Sequence, residues 1–279
     1  MNDLYIRKNI VTINNRAFTD PLTINFDVAF DDSKELNTIT IEIYNLKDST
    51  IASLKKNSPV TLQAGYVDDY GIVFEGLIKK TTTEWQGVDK KTKIECVDDS
   101  GDKWNKEKIK KAYKGPIDAK TILKDLISKT GLVTGDLSLP KNHVYKSGKT
   151  FNSLVSKATI EVAKDCNAKV HINKKQIFIR GKNESSKIAY QVNKGTGLIG
   201  SPTPIEKEEA EPDKKSNAGE EKKKTLKGWS VKVLLDHRIT VDSMIILKSK
   251  TANGTFRVSK GMHNSNGNTH YTEMEVFPL

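Results

Sequence analysis

The chain has 279 residues, enough for two or three modest domains that each bury a core, and 36% of them are hydrophobic. Its longest apolar runs, such as Met244–Leu247, fall far short of the roughly 18 residues that a membrane-spanning helix needs. The opening MNDLYIRKN lacks a basic segment followed by an apolar one, so neither a membrane insertion nor a signal peptide is expected. The net charge of +11 lies in the middle: residues 1–100 hold 12 bases and 16 acids, residues 101–189 hold 20 and 8, and residues 190–279 hold 14 and 11. Of the 46 bases 41 are lysine, whereas phosphate and base-edge recognition favours the planar guanidinium fork, so a solvated basic face is preferred to a nucleic-acid reading.

From the start to about Ser100 the apolar residues recur every second position. Leu22, Ile24, Phe26, Val28 and Phe30 share one face, and Ile39, Ile41 and Ile43 share another, as in half-buried antiparallel strands. Between Asn45 and Asn57 the rhythm breaks for a short helix, with Asp48 or Ser49 as its cap. Strands resume as PVTLQAGY, GIVFEGLIKKTTTEW and KTKIECVDD, separated by turn residues, which predicts a small closed barrel.

After residue 101 the period becomes helical. Ala119, Ile122, Leu123, Leu126 and Ile127 mark one helix face, with Pro116 in the first turn and Gly131 at the stop. A second helix is expected from about Thr150 to Asn167, on a stripe of Phe151, Leu154, Val155, Ala158 and Val162. A hairpin follows, with Val170 and Ile172 facing Ile177 and Ile179. Residues 101–189 therefore read as an α+β domain whose candidate basic face is Lys103, Lys106, Lys110, Lys111 and Lys114.

From residue 190 four more strands appear: GWSVKVLLDHRI, DSMIILKSK, TFRVSKGMH and HYTEMEVF. Four strands close a barrel poorly, so GLIGSP before them is expected to complete the sheet. The intervening 206–227, with seven acids and seven bases, is then a mobile loop within the second barrel. Trp229, Leu234, Ile245 and Phe256 are candidate core or interface residues. The fold class is mainly β with α+β: two small β-barrels, at 1–100 and 190–279, flank a central α+β domain.

Signals of enzymatic chemistry are absent. The five histidines form no HExxH, HxH or CxxC-linked cluster, and there is no GxSxG, GxxxxGK or GxGxxG. His263 and His270 read as a surface hairpin pair, and Asp236 with His237, adjacent in a strand-like segment, as pointing to opposite faces. Cys96 and Cys166 read as isolated thiols. Trp85, Trp104 and Trp229 carry no aromatic and basic interleaving, so core or interface roles are favoured over base stacking. No enzyme, cofactor or metal is expected. The alternatives are a nucleic-acid or anionic-polymer binding module using the basic middle domain, and a peptidoglycan-active enzyme.

The C-terminal order GTGLIGSP, charged segment, GWSVKVLLDHRI, DSMIILKS, NGTFRVSKGMHNSN, TEMEV resembles the baseplate central hub proteins of contractile phage tails and phage-tail-like particles. The N-terminal IEIYNLKDSTIASLKKNSPVTLQAGY and VFEGLIKKTTTEWQGVDKKTKIECVDD are similar to their first barrel. The long charged insertion departs from the pattern. The resemblance implies a homotrimer whose six quasi-equivalent barrels form a ring that adapts the hexameric tail tube to the trimeric cell-puncturing spike. Its implied partners are the tail tube protein, the spike or tip protein, the tape measure protein and baseplate wedge proteins, with DNA only in passage if the particle is a phage. The implied location is the baseplate centre of a virion or tail-like bacteriocin, assembled in the host cytoplasm.

Overall fold

The computed structural model describes residues 6–31, 38–98, 102–173, 175–181, 184–186, 188–210 and 223–279. Its first part runs β1 (Arg7–Ile13), β2 (Arg16–Phe18), β3 (Ile24–Asp31), β4 (Thr38–Tyr44), α1 (Asp48–Ser53), β5 (Pro59–Tyr66), β6 (Asp69–Gln86) and β7 (Asp89–Val97). The period-two residues are the buried ones: Ile24, Phe26 and Val28 on β3 and Ile39, Ile41 and Ile43 on β4 enter one core with Val11, Leu62, Val73, Phe74 and Ile94. The cap of α1 is Lys47, with no side-chain hydrogen bond, rather than Asp48 or Ser49. Asp48 instead sits in the first turn and pairs with Lys90 at 2.6 Å.

The middle part comprises α2 (Asp102–Lys106), β8 (Lys108–Tyr113), β9 (Ile117–Asp118), α3 (Ala119–Ser128), β10 (Val133–Leu137), β11 (Val144–Tyr145), β12 (Lys149–Leu154), α4 (Val155–Asp165), β13 (Ala168–Asn173) and β14 (Gln176–Gly181). On α3 the expected stripe is buried, but the N-cap is Asp118, which accepts from the Thr121 amide at 3.1 Å, while Pro116 lies before β9. The second helix begins later than its stripe suggested. Residues 149–154 pair with β8 as a strand, which delivers Phe151 to the same core, and α4 starts at Val155. The helix period misled there because Phe151, Leu154 and Val155 lie on both sides of the junction. Val170 opposes Ile179 and Ile172 opposes Ile177, the expected hairpin.

The last part holds β15 (Ala189–Val192), β16 (Leu198–Ala210), β17 (Lys223–Leu234), β18 (Met244–Lys248), β19 (Asn253–Ser265) and β20 (His270–Pro278). As expected, the segment containing GLIGSP supplies the partner of β17. The expected mobile loop is corrected at its flanks: Glu206–Ala210 and Lys223–Lys227 are paired strands that prolong the β16–β17 hairpin, and 211–222 lie outside the described residues. Glu206 faces Lys227, Lys207 faces Leu226 and Glu208 faces Thr225, with no like charges directly opposite among them, so the ladder tolerates the charge that read as disorder.

The mainly-β architecture holds, but no ladder among the described residues closes either set of strands into a barrel. Instead, both sets join in one 13-stranded sheet in the order β16-β17-β20-β19-β3-β4-β7-β6-β5-β1-β2, with β18 joining β19 to β15. The two sets repeat one strand order, β3-β4-β7-β6-β5-β1 matching β16-β17-β20-β19-β18-β15, although β1 runs antiparallel to β5 and β15 parallel to β18. Equivalent positions follow from the registers. Both long strands carry a bulge, between Ile78 and Lys80 and between Val258 and Lys260, and the next pairs are Lys80 with Glu95 and Lys260 with Glu275. Thr83 opposes Thr92 as His263 opposes Thr272.

The seam between the repeats is the antiparallel pairing of β19 with β3, from Lys260 opposite Asp31 to Ser265 opposite Phe26. Side chains cross it. Phe30 of the first repeat packs in the core of the second, and Leu235 of the second packs in the core of the first. A Cβ at Gly261 would collide with the Phe30 ring, so the bare glycine admits that ring to the seam.

Candidate functional site: charged faces and open sheet edges

The expected basic face divides. On β8, Ile109, Lys111 and Tyr113 project to one side and Lys108, Lys110 and Ala112 to the other, as strand alternation requires. Lys111 is neutralised by Asp125 at 3.0 Å and lies 4.9 Å from the Tyr113 ring centroid. Tyr113 donates to the same carboxylate; burial first, then that bond, push its phenol upward. Lys110 and Lys114 are exposed, Lys106 lies exposed at the end of α2, and Lys103 is within α2. The correction to a single face follows from alternation: Lys110 and Lys111, adjacent in sequence, stand on opposite sides.

The apolar candidates separate as well. Ile245 and Phe256 are buried cross-strand partners inside the last core. Trp229 is half-buried against that core, whereas Leu234 packs against the first one.

Three charged junctions hold the parts together. Asp242, 2% exposed, accepts from Lys169 of β13 at 2.7 Å and from Arg257 of β19 at 2.6 Å, tying the middle part to the last. Burial raises its carboxyl, but the attraction of Lys169 and then Arg257 outweighs it and holds the group below the ordinary carboxylate value. Asp236 and His237 lie past the end of β17 in a turn, not in a strand. There Arg238 bridges Asp236 at 2.8 Å and Asp69 of the first part at 3.0 Å. Arg7 donates to the carbonyls of Asn266, Gly267 and Asn268 in the β19–β20 turn.

His263 and His270 are not a surface pair, since both are buried beside that turn. Nδ1 of His263 meets the Thr272 hydroxyl at 2.8 Å. His270 meets the Ser265 hydroxyl through Nδ1 and the Gly65 carbonyl through Nε2, both at 2.9 Å. Burial pushes the His270 imidazole down to about 4, against the raising effect of the Gly65 carbonyl. The register sets them apart, with His263 opposite Thr272 and His270 opposite Ser265. Cys96 and Cys166 are free and buried.

No group of His, Cys, Asp or Glu among the described residues is arranged to hold a metal ion, and no helix among them is long and apolar enough to cross a membrane. An open cleft of about 510 Å³ lies beside β16, lined by Asp31, Ile205, Glu206, Lys207, Ser259, Lys260 and Glu275. Its charges are of both signs, and its one hydroxyl, Ser259, has no histidine beside it in the lining. Glu84 is on the surface of β6 with Lys91 at 3.0 Å.

What the sequence reading missed is the bare end of the β6–β7 hairpin. From Lys79 to Gln86 every residue of β6 except Thr81 is exposed, and Trp85 is 70% and Val88 91% exposed. Lys90 partly covers Trp85, its Nζ 5.9 Å from the ring centroid. The signal in the sequence was the change from alternation in GIVFEGLI to the unbroken polar run KKTTTE. At the far end of the sheet, β16 has no neighbouring strand on its outer side among the described residues.

No family model and no curated protein matches the chain. Solved structures do. A tail protein from Neisseria meningitidis MC58 superposes with a TM-score of 0.63 at 9% identity, over 98% of this chain and 97% of that one. The 43 kDa tail protein of prophage MuSo2 from Shewanella oneidensis gives 0.62 at 6% identity, over 98% of both chains. The E. coli c3393 protein, a type VI secretion component similar in structure to T4 bacteriophage tail proteins gp27 and gp5, gives 0.54 at 6% identity over 96% of this chain and 76% of that one. The chain therefore has the fold shared by phage tail proteins and this type VI secretion component, at full length in the first two cases.

Proposed function

We propose that the chain is a structural subunit of a phage tail or tail-like particle and serves as its baseplate hub. Three copies form a ring in which residues 1–100 and 190–279 of each chain supply two quasi-equivalent units, with residues 101–189 at the periphery or on the spike side. Six units meet the hexameric tail tube on one face, and the threefold axis receives the trimeric spike on the other. The tape measure ends in the lumen, wedge proteins attach outside, and the complex assembles in the host cytoplasm.

The observation that carries this reading is the repeated strand order: one chain presents the same sheet plan twice, joined edge to edge. Doubling of this kind turns three subunits into six similar surfaces, which is what a mismatch between threefold and sixfold neighbours requires. The likeness to tail proteins over their whole length supports it. Electron microscopy of the purified protein, alone and with its spike partner, classified without imposed symmetry, tests it. Threefold rings with six lobes are expected. Single compact particles in both samples would overturn the reading and return weight to an anionic-polymer module built on the exposed side of β8.

A further inference from the structure

We propose that the bare second half of β6 receives the open edge of β16 from a second copy, in the register that β19 and β3 use within one chain. The inference rests on the ring reading above and names its seam.

The repeat supplies the argument. In the second repeat β19 is shared: Asn253–Arg257 pair with β18, and Lys260–Ser265 pair with β3. In the first repeat β6 is divided the same way, its pairing with β5 ending at Leu77. Beyond Ile78, however, the side that corresponds to the β3 contact has no strand beside it among the described residues. Burial records the difference. Ser259, His263 and Ser265 are buried under the seam, whereas their equivalents Lys79, Thr83 and Trp85 are exposed.

The missing neighbour has an equivalent too. The strand that corresponds to β3 is β16, and its outer side is the open end of the sheet. A single chain thus ends in one bare receiving edge and one bare donating edge of the kinds that already bind each other internally. Such a pair makes a head-to-tail contact between copies, which closes into a ring where the rotation allows.

The registers fix the contact. Asp27 opposes Thr40 and Thr40 opposes Glu95; in the second repeat Thr203 opposes Ser230 and Ser230 opposes Glu275. Thr203 is therefore the equivalent of Asp27, whose partner across the internal seam is Asn264, the equivalent of Glu84. The intermolecular seam accordingly sets Thr203 opposite Glu84, Ile205 opposite Thr82 and Lys207 opposite Lys80. The one like-charge pair, Lys80 with Lys207, has Glu95 and Glu206 beside it.

Pro204 fixes the direction of the edge. It opposes Trp229 yet has no N–H to donate, so that pair is a non-hydrogen-bonded one and the Pro204 and Glu206 carbonyls point away from β17. Ile205 then hydrogen-bonds inward, and its contact with Thr82 is the close, non-hydrogen-bonded kind that suits a disulfide.

The test is the double variant Thr82→Cys with Ile205→Cys, together with the two single variants purified separately and mixed. Both native cysteines are buried and do not compete. Oligomer size is measured by light scattering before mild oxidation, and covalent species are then read on non-reducing gels. Covalent dimers and trimers from the double variant are expected. The mixture should give dimers, and each single variant alone should give none. A noncovalent trimer that yields no cross-link in either format would overturn this seam and leave the ring reading standing. A chain that stays monomeric at every concentration, both alone and with its spike partner, would overturn both.

Discussion

Replacing Asp242 with asparagine should weaken the docking of the middle part on the last. Asparagine keeps the side-chain shape and tolerates the left-handed backbone of this position, φ 64°, so the change removes little except the charge. It leaves the Lys169 ammonium and the Arg257 guanidinium, 21% and 15% exposed, without their shared carboxylate. Removing one partner of a fully buried ion pair costs about 3 to 5 kcal/mol, and the remaining solvent access of both cations points to the lower end, about 3 kcal/mol. For a chain of this size that corresponds to a fall of roughly 6 °C in Tm. The pH dependence gives a second readout. The folded carboxyl titrates below its unfolded value, so the unfolded chain takes up a proton first as pH falls. Stability from this group is complete above a pH of about 4 and is lost below it, down through the folded pKa. Thermal and urea unfolding of both proteins from neutral to acid pH measures both effects. A Tm within about 1 °C of the parent at neutral pH would refute the account of Asp242 as the tie between parts.

His270 should give a separate acid limb. Its folded pKa of about 4 lies below the unfolded value of about 6.5, so the folded state binds fewer protons in that window. Stability should fall by about 3 kcal/mol as pH drops from about 6.5 to 4. His270→Gln should flatten that limb, and an unchanged slope would show that another group carries it. Phe30→Ala should open a cavity in the seam between repeats at a cost of about 3 to 5 kcal/mol. Hydrogen exchange should show the loss in β19 and β3 together; protection lost in only one of them would mean that the repeats do not share a core.

Much of the fold was legible because alternation and helical spacing report burial locally. The stripes of β3, β4 and α3 came out as read, as did the hairpin of β13 and β14. Where two elements abut, local pattern fails: Phe151 and Leu154 fit a helix stripe, but β8 captures them as a strand, because ladder pairing outweighs a stripe one turn long. The charged run at 206–227 failed for a related reason. Composition reports the lack of a core, and a hairpin that extends beyond its sheet needs none, only cross-strand partners such as Glu206 and Lys227.

The assembly surfaces were harder to read than the elements. Sequence marked Lys110 and Lys111 as one basic face, while strand alternation sends them to opposite sides. It passed over Asp242, a lone aspartate in a turn, which becomes a junction only when Lys169, 73 residues away, is folded against it. Trp85 read as a core or interface residue, and the structure takes it out of the core and leaves it exposed at a hairpin end, on the edge proposed above as the seam.

The sequence by itself determined the strand stripes of β3 and β4, the buried face of α3, the β13–β14 hairpin, the charge of each part and the absence of recognisable catalytic motifs, since these follow from periodicity and residue chemistry over short spans. Only the tertiary structure decided that the two β units are one repeated plan joined through β3 and β19, and that β6 and β16 remain open. Edge pairing is made by backbone groups that every residue carries, so which edges meet is set by how the whole sheet packs and leaves almost no trace in the side chains along either strand.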